Sequence, residues 1–450
     1  MISKFILFLL GGLATLGFAP HYFVAVSILS WFGLFLSLKK STKNFWNGYV
    51  FGAGYFVFGL SWITNALTID AYTAEHFSWL IPFVYLGSGL IMGLFFAVPT
   101  WLAGRHKKPL FRLWSFPFYF ITFEWMRGWI LTGLPWNRLG AIWVDTPIIL
   151  QSVNFFGILG LSFFTLIFIL ILFQIIYTKK RFSLLFPAGI AILGIIFYGN
   201  YKLKTKTKMS NVSIKLIQSG LSQKTKWSRS ELEKNFQLHL DLSRTGKKTD
   251  IIIWSESAVA FDLAHNTFYR KQVENILENN QKLITGFIFR GEKTHNSVGV
   301  FSKKGLENVY HKHHLVPFGE YIPFANFLPL ETIARGVGGL SAGEGAKTLL
   351  LENLPSVAPV ICYESIFSGE IIDKKNPPKW ILIITNDAWY GLSRGPYQHL
   401  AEAQIRAVEE NLPVVRVAYN GISSVIDSKG KILISAPLQT RAVIDSFLPK

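Results

Sequence analysis

Seven apolar stretches crowd the first 200 residues, near 5–19, 22–38, 46–65, 78–103, 113–133, 158–177 and 183–200. Most approach the ~20 residues an α-helix needs to cross a bilayer core. The same 200 residues hold only four acidic side chains, Asp70, Glu75, Glu124 and Asp145, beside 13 basic ones. Over all 450 residues, 50% are hydrophobic and 16% are charged, against about 25% charged in an ordinary soluble domain. Disorder, collagen and coiled coil are excluded, and a membrane protein is indicated. The first stretch begins just after Lys4, as a signal peptide does. No small-x-small cleavage site precedes a soluble segment, so it is expected to be a retained first helix.

Loop charges orient the stretches. Lys4 precedes the first. Lys39, Lys40 and Lys43 follow the second; Arg105, Lys107, Lys108 and Arg112 follow the fourth; Lys179, Lys180 and Arg181 follow the sixth. The alternate loops hold only Arg127 and Arg138. The amino terminus is therefore expected in the cytoplasm, and seven spans put everything after residue 200 on the far side. Lys202, Lys204, Lys206 and Lys208 favour the reverse, but large domains translocate largely regardless of charge. The net charge of +18 would ordinarily suggest nucleic acid. Basic residues lying between apolar runs fit an anionic membrane surface instead, and no nucleic-acid partner is expected.

Beyond residue 210 the pattern changes. Strand candidates are 211–218, 250–254, 283–290, 296–302, 356–362, 380–385 and 414–419, with helical patterns at 227–245, 265–280 and 397–411. This alternation predicts an α/β domain over 210–450, following a helical bundle over 1–205. The Gly-rich run 336–345 reads as a mobile loop, without the strand–GxxxxGK[ST]–helix context of a phosphate loop. Cys362 is the sole cysteine. An intrachain disulfide is impossible, and no metal or cofactor is expected.

Three residues of this domain could carry chemistry. Cys362 ends an apolar strand in PVICYES. A lone cysteine there is usually a small buried hydrophobe, but a sharp turn after a strand can expose a nucleophile. Glu364 lies two residues on. Glu256 follows a strand in DIIIWSES, and is either a solvated loop residue, an N-cap partner or a general base. Lys312, in NVYHKHHLVPFGEYIPF, is either a snorkelling surface residue or a desolvated cation that holds an oxyanion. His311, His313 and His314 flank it, but strand alternation splits such neighbours between faces, which argues against a metal site. Together the three supply a thiol, a base and a positive charge, the parts that acyl transfer needs.

The segments WSES, YHKHHLVPFGEYIPF, ICYES, TNDAWYG and RAVEENLPVVRVAYNGISSVID resemble the nitrilase superfamily. CYES, KHHLVPFGE and NDAWYG, behind a membrane half carrying GFAP at 17–20 and FEWMRGWILTGLPWNRLG at 123–140, resemble more narrowly the apolipoprotein N-acyltransferase family. The resemblance implies a membrane α-helical bundle plus a nitrilase-like α-β-β-α sandwich. It implies acyl transfer from a membrane phospholipid to the N-terminal α-amino group of a diacylglyceryl-lipoprotein, by a monomer in the bacterial inner membrane with its catalytic domain on the periplasmic side. Cys362 would be the nucleophile, Glu256 the base and Lys312 the oxyanion-stabilising cation. Glu320, Tyr363, Glu364, Trp227 and Asn296 match further family positions. Trp136 and Trp389 are candidates to line a lipid entrance. Glu124 and Arg127, at i and i+3, are expected to pair, the alternative being that Arg127 or Arg138 meets a lipid phosphate.

Members of the family commonly return to the membrane through a final helix. The ending KILISAPLQTRAVIDSFLPK holds no apolar run of that length, so the carboxyl terminus is expected to stay outside. A membrane-tethered amidase with the same three residues would need no seven spans. A receptor with an inactive domain would not keep all three residues, and a transporter would carry more intramembrane charge.

Overall fold

The computed structural model describes residues 2–450 except 42, 70, 179–181, 227, 229 and 324–338. The chain folds as two units: Met1–Thr64 with Trp79–Thr205, and Asn65–Ser78 with Lys206–Lys450. The short segment Asn65–Ser78 lies within the amino-terminal region of the sequence but groups with the second unit.

The first unit is helical. Its main helices, Lys4–Ala14, Val24–Lys40, Asn44–Gly59, Ile81–Met92, Leu94–Gly104, Pro109–Met126, Val153–Thr178 and Phe182–Lys204, each overlap one of the seven apolar stretches. Among the described residues, Tyr72–Gly104 and Val153–Tyr177 are long and apolar enough to cross a membrane. A third joins them if Asn44–Gly59 and Ser61–Thr68, bent by 44°, form one span. Among the described residues no further helix meets both criteria. Val24–Lys40, with 17 residues, reaches only about 26 Å at 1.5 Å per residue, short of the ~30 Å hydrocarbon core. Helices meet through small residues: a Cβ on Gly11 would stand 2.0 Å from the Phe51 carbonyl oxygen, so glycine permits the approach. Trp31 is buried among Phe51, Phe96 and Phe120, with ring centroids 5.4–5.6 Å away. Phe5, Phe83, Phe155 and Phe197 face outward. Arg127 lies 3.8 Å from Glu124 with both buried, so the pairing expectation holds. Arg127 and Arg138 also donate to the carbonyls of Trp136 and Pro135.

The second unit contains two six-stranded sheets. The first has the order β12-β1-β2-β3-β4-β5, where β1 is Met209–Gln218, β2 Ile251–Trp254, β3 Lys282–Arg290, β4 Thr294–Ser302, β5 Gly305–His311 and β12 Ala442–Pro449. The second has the order β11-β10-β9-β8-β7-β6, where β6 is Leu349–Leu351, β7 Leu354–Ile361, β8 Trp380–Thr385, β9 Val414–Ala418, β10 Ser423–Ile426 and β11 Ile432–Ala436. Central pairings β1–β2–β3 and β7–β8–β9 are parallel, and the flanking ones antiparallel.

Side-chain alternation sorts the layers. In β2, Ile251 and Ile253 enter the core shared by both sheets, whereas Ile252 and Trp254 enter an outer core with Phe236 and Leu240 of α1 (Leu232–Arg244) and Val273 of α2 (Thr267–Ile276). In β8, Trp380, Leu382 and Ile384 face the shared core, and Ile381 and Ile383 face Leu400, Ala403 and Ala407 of α3 (Gly395–Glu410). Strands buried on both faces read as continuous apolar runs, as these do. The result is an α-β-β-α sandwich. The last residues of the chain, where no apolar helix was expected, form β11 and β12.

Candidate active site

Both sheets deliver chemistry at strand ends: β2 and β7 are parallel strands, as expected for α/β layers, and β5 is an antiparallel one. Glu256 leaves β2 two residues after Trp254, Lys312 follows β5 directly, and Cys362 follows β7 directly. Cys362 adopts a left-handed backbone (φ +51°) and opens a 3-10 turn, Cys362–Ile366. Such a conformation in a non-glycine residue is strained, and points the side chain out of the strand direction. Ser257, beside Glu256, is left-handed as well (φ +43°).

Glu256, Lys312 and Cys362 are all buried, at 6%, 1% and 6% exposure. The surface reading of Lys312 and the solvated-loop reading of Glu256 are thereby excluded. Nζ of Lys312 lies 3.7 Å from Oε1 of Glu256 and 2.9 Å from Oε2 of Glu320. Asn296 donates through Nδ2 to Oε1 of Glu256 at 2.8 Å and to Oε1 of Glu320 at 2.9 Å. The backbone N–H of Asn386 donates to Oε2 of Glu256 at 2.8 Å. Every Glu256 oxygen therefore has a donor, which fixes the carboxylate's orientation.

The electrostatics follow from this packing. Burial opposes the Lys312 charge, but the carboxylates of Glu320 and Glu256 outweigh it and hold the ammonium above its ordinary range. Burial pushes the Cys362 thiol up to about 12, the Glu256 charge adds to this, and Lys312 opposes it. Tyr390 interacts with the Cys362 side chain, and burial with the charges around it holds its hydroxyl well above its ordinary range. The resting group is thus a protonated thiol beside a carboxylate and a fixed cation. Such a set can pass the thiol proton to the carboxylate during attack, with the cation placed to hold an oxyanion.

Glu364 is held by partners from both sheets. Its carboxylate accepts from the N–H groups of Ile361 (2.7 Å) and His313 (2.8 Å) and from the Tyr310 hydroxyl (2.7 Å), and it pairs with Nδ1 of His313 at 2.7 Å. Tyr363 is buried edge-on against Phe367, with centroids 5.2 Å apart. Trp389 is half-buried on the Asp387–Tyr390 turn. Trp136 belongs to the first unit, where it packs on Trp62 with ring centroids 4.6 Å apart. Trp227 lies outside the described residues. The three histidines go separate ways: His311 stacks on His295, His313 meets Glu364, and His314 stacks on Phe367.

The Gly-rich segment requires a correction. Residues 336–338 lie outside the described residues, but 339–345 are pinned rather than loose. Leu340, Ser341 and Gly343 donate their N–H groups to the carbonyls of Glu320, Thr294 and Lys312. A Cβ at Gly343 would stand 2.2 Å from the His311 carbonyl oxygen. The glycine is there for close approach to the Lys312 segment.

Several contributors have no sequence signal of their own. Asn386 acts through its backbone N–H. Lys226 and Gln223 sit in a polar run that reads as a solvated helix start. Behind Cys362, His399 approaches the Cys362 carbonyl through Nε2 at 3.1 Å and Asp387 through Nδ1 at 2.9 Å, and Arg416 reaches Asp387 at 2.6 Å. A cavity of about 500 Å³ near Lys282, Glu307 and Glu352 includes none of these residues.

Comparison with known proteins agrees with this architecture. Residues 10–171 match the model of the apolipoprotein N-acyltransferase N-terminal domain, and residues 218–446 match the carbon-nitrogen hydrolase model. An apolipoprotein N-acyltransferase of Rickettsia prowazekii is 34% identical over 100% of this chain and 92% of its own. The chain belongs to the apolipoprotein N-acyltransferase family. Members from Rickettsia bellii (35% identical, 98% of this chain, 90% of theirs) and Rhodopseudomonas palustris (34%, 89% and 80%) give the same assignment. Among solved structures, a carbon-nitrogen hydrolase from Helicobacter pylori aligns with 53% of this chain and 88% of its own, at 13% identity and a TM-score of 0.38. The family is one of acyltransferases built on the carbon-nitrogen hydrolase domain, and the sandwich described above is that domain.

Proposed function

We propose that this protein moves an acyl chain from a membrane phospholipid to the N-terminal α-amino group of the S-diacylglyceryl cysteine of lipoproteins, through a thioester on Cys362. The observation that carries the reading is the burial of Glu256, Lys312 and Cys362 in one network, within a chain that belongs to this family along its whole length. Glu256 takes the proton from Sγ of Cys362 as the sulfur attacks the ester carbonyl. Lys312 holds the oxyanion. The C–O bond breaks and Glu256 returns its proton to the departing lysophospholipid. The lipoprotein amine then attacks the thioester, its proton passes to Glu256, and the thiol re-forms. Asn296 and Glu320 orient Glu256 and Lys312. Tyr363 and Glu364 shape the nucleophile turn. Trp227, Trp136 and Trp389 contribute to lipid binding.

Both substrates are lipid-anchored. The outward-facing phenylalanines and apolar helices of the first unit support placement in a bilayer, which raises the effective concentration of each substrate. In this reading residues 1–205 form a seven-span bundle in the bacterial inner membrane, residues 210–450 work on the periplasmic side, and the protein is a monomer.

The test is acyl trapping. Purified protein in detergent is incubated with a phospholipid labelled in its sn-1 chain, without acceptor, beside Cys362→Ala. A hydroxylamine-labile label on Cys362 is expected. No label and no free fatty acid from folded protein would overturn the reading.

A further inference from the structure

Lys226 is the second buried lysine of the site, 4% exposed at the end of the helical turn Gln223–Lys226. Its Nζ donates to the Glu256 carbonyl oxygen at 3.3 Å and stands 4.0 Å from the centroid of the Tyr419 ring. Gln223, in the same turn, accepts from Nδ2 of Asn386 at 2.9 Å, and Asn386 in turn donates to the Glu256 carboxylate. The turn thus reaches Glu256 twice, directly and through Asn386.

A charge count gives this contact a purpose. Glu364 has His313 as its cation, and Asp387 has Arg416. Glu256 and Glu320 share Lys312. Among the described residues this leaves one buried negative charge, whether the mobile proton sits on Glu256 or on Cys362. A buried charge without a counter-charge is strongly disfavoured. Burial draws the Lys226 ammonium down to about 7, while the charges of Glu256 and Cys362 favour keeping it protonated. His239, also facing it, is drawn down to about 4 and is neutral near pH 7.

We propose that Lys226 is a positioning residue for acyl transfer: with Lys312 it balances Glu320 and whichever of Glu256 and Cys362 carries the negative charge. Lys226 acts as a charge and exchanges no proton with substrate. The proposal rests on Cys362 being the nucleophile.

The test uses the full chain in detergent. Cys362 is the sole cysteine, so iodoacetamide reports on it alone. The logarithm of the alkylation rate is followed from pH 5.5 to 10. Wild type is expected to rise, flatten near neutrality as Lys226 loses its charge, and rise again. Lys226→Met is expected to rise with unit slope throughout, about tenfold slower than wild type at pH 6 and converging with it above pH 9. Lys226→Arg is expected to keep the wild-type rate at pH 6 without flattening. A Lys226→Met profile that coincides with wild type, or that is slowed equally at every pH, overturns the proposal. If Lys226→Met does not fold, flattening that persists in Lys226→Arg does so. The alkylation needs no lipid. A wild type that shows the flattening but takes no label from phospholipid would leave the charge role intact and remove the acyl-transfer reading.

Discussion

The hydroxyl of Tyr310 donates to the carboxylate of Glu364 at 2.7 Å. Tyr310 lies on β5 of one sheet, two residues before Lys312, and Glu364 lies just after β7 of the other, two residues after Cys362. The bond therefore ties the strand that leads to the cation to the turn that carries the nucleophile. Glu364→Gln replaces an acceptor of several N–H and O–H donors with a group that presents its own donors. It is expected to cost about 1–3 kcal/mol of stability through unsatisfied buried groups. It should also lower the rate of Cys362 acylation by about 100-fold, since small misplacements cost that much. Thermal melting and trapping kinetics read the two effects; unchanged trapping would mean that the turn is held in place by other contacts.

The same carboxylate makes stability depend on pH. Burial works against the Glu364 charge, but His313 and the surrounding donors outweigh it and hold its pKa below the ordinary 4.5. Burial works against His313 too, but Glu364 outweighs it and holds His313 above 6.5. The histidine contribution is complete below pH 6.5 and is lost as pH rises through its raised value. The glutamate contribution is complete above pH 4.5 and is lost as pH falls through its depressed value. Melting curves across pH should show the difference between wild type and His313→Ala largest between 4.5 and 6.5, shrinking above. A constant difference would show that packing, not charge, accounts for His313.

How far the sequence shows this structure depends on what each residue touches. The run WILIIT of β8 is buried on both faces, so it is apolar throughout and legible as a strand. AVIDSFLP of β12 and ILISA of β11 are largely half-exposed, and their mixed patterns hide them. LLL of β6 is too short to register. Glu256, Lys312 and Cys362 are legible because each stands where a strand ends. Asn386 is not, because a backbone N–H has no residue type. Lys226 is hidden differently: QKTK reads as solvated, and only the fold buries it. Among the apolar helices the helix is more legible than the span, since a 17-residue helix such as Val24–Lys40 lies at the lower limit of a span's length.

Gly286 of β3 packs on the strand exit that carries Glu256. A Cβ there would stand 2.5 Å from the Ser257 nitrogen and 2.7 Å from the Glu256 Cα. Both atoms are backbone, so neither can rotate away. Gly286→Ala is expected to move Glu256 off Asn296 and Asn386, costing about 1–3 kcal/mol by overpacking and about 100-fold in acylation rate. Trapping kinetics beside a melting curve test this. A variant that melts lower yet acylates at the wild-type rate would show that Glu256 is held independently of β3.

With the Cys362 thiol pushed up to about 12, very little thiolate exists at pH 7, so attack depends on the base. Glu256→Gln keeps the hydrogen-bonding shape but cannot take a proton. It is expected to fold normally and to form thioester at least about 100-fold more slowly, the usual span of general-base catalysis. Lys312→Met should fall by about 10²–10³ for loss of an oxyanion donor. Normal trapping by Glu256→Gln would remove Glu256 from its role.

Behind the nucleophile, Asp387, His399 and Arg416 are fully buried. Arg416 meets Asp387 at 2.6 Å, and His399 bridges Asp387 to the Cys362 carbonyl and the Ser365 hydroxyl. Burial alone would raise the Asp387 pKa, but Arg416 and His399 outweigh it and hold the carboxylate far below its ordinary range. Asp387 thus stays ionised at every working pH, and its partner cannot be removed cheaply. Arg416→Leu strands a buried carboxylate and is expected to cost about 3–5 kcal/mol. Adding Asp387→Leu removes the stranded charge, so the double variant should be more stable than Arg416→Leu alone. A double-mutant cycle by thermal melting measures the coupling. Simple additivity would mean that the cluster fills space behind the Cys362 turn and holds it by packing alone.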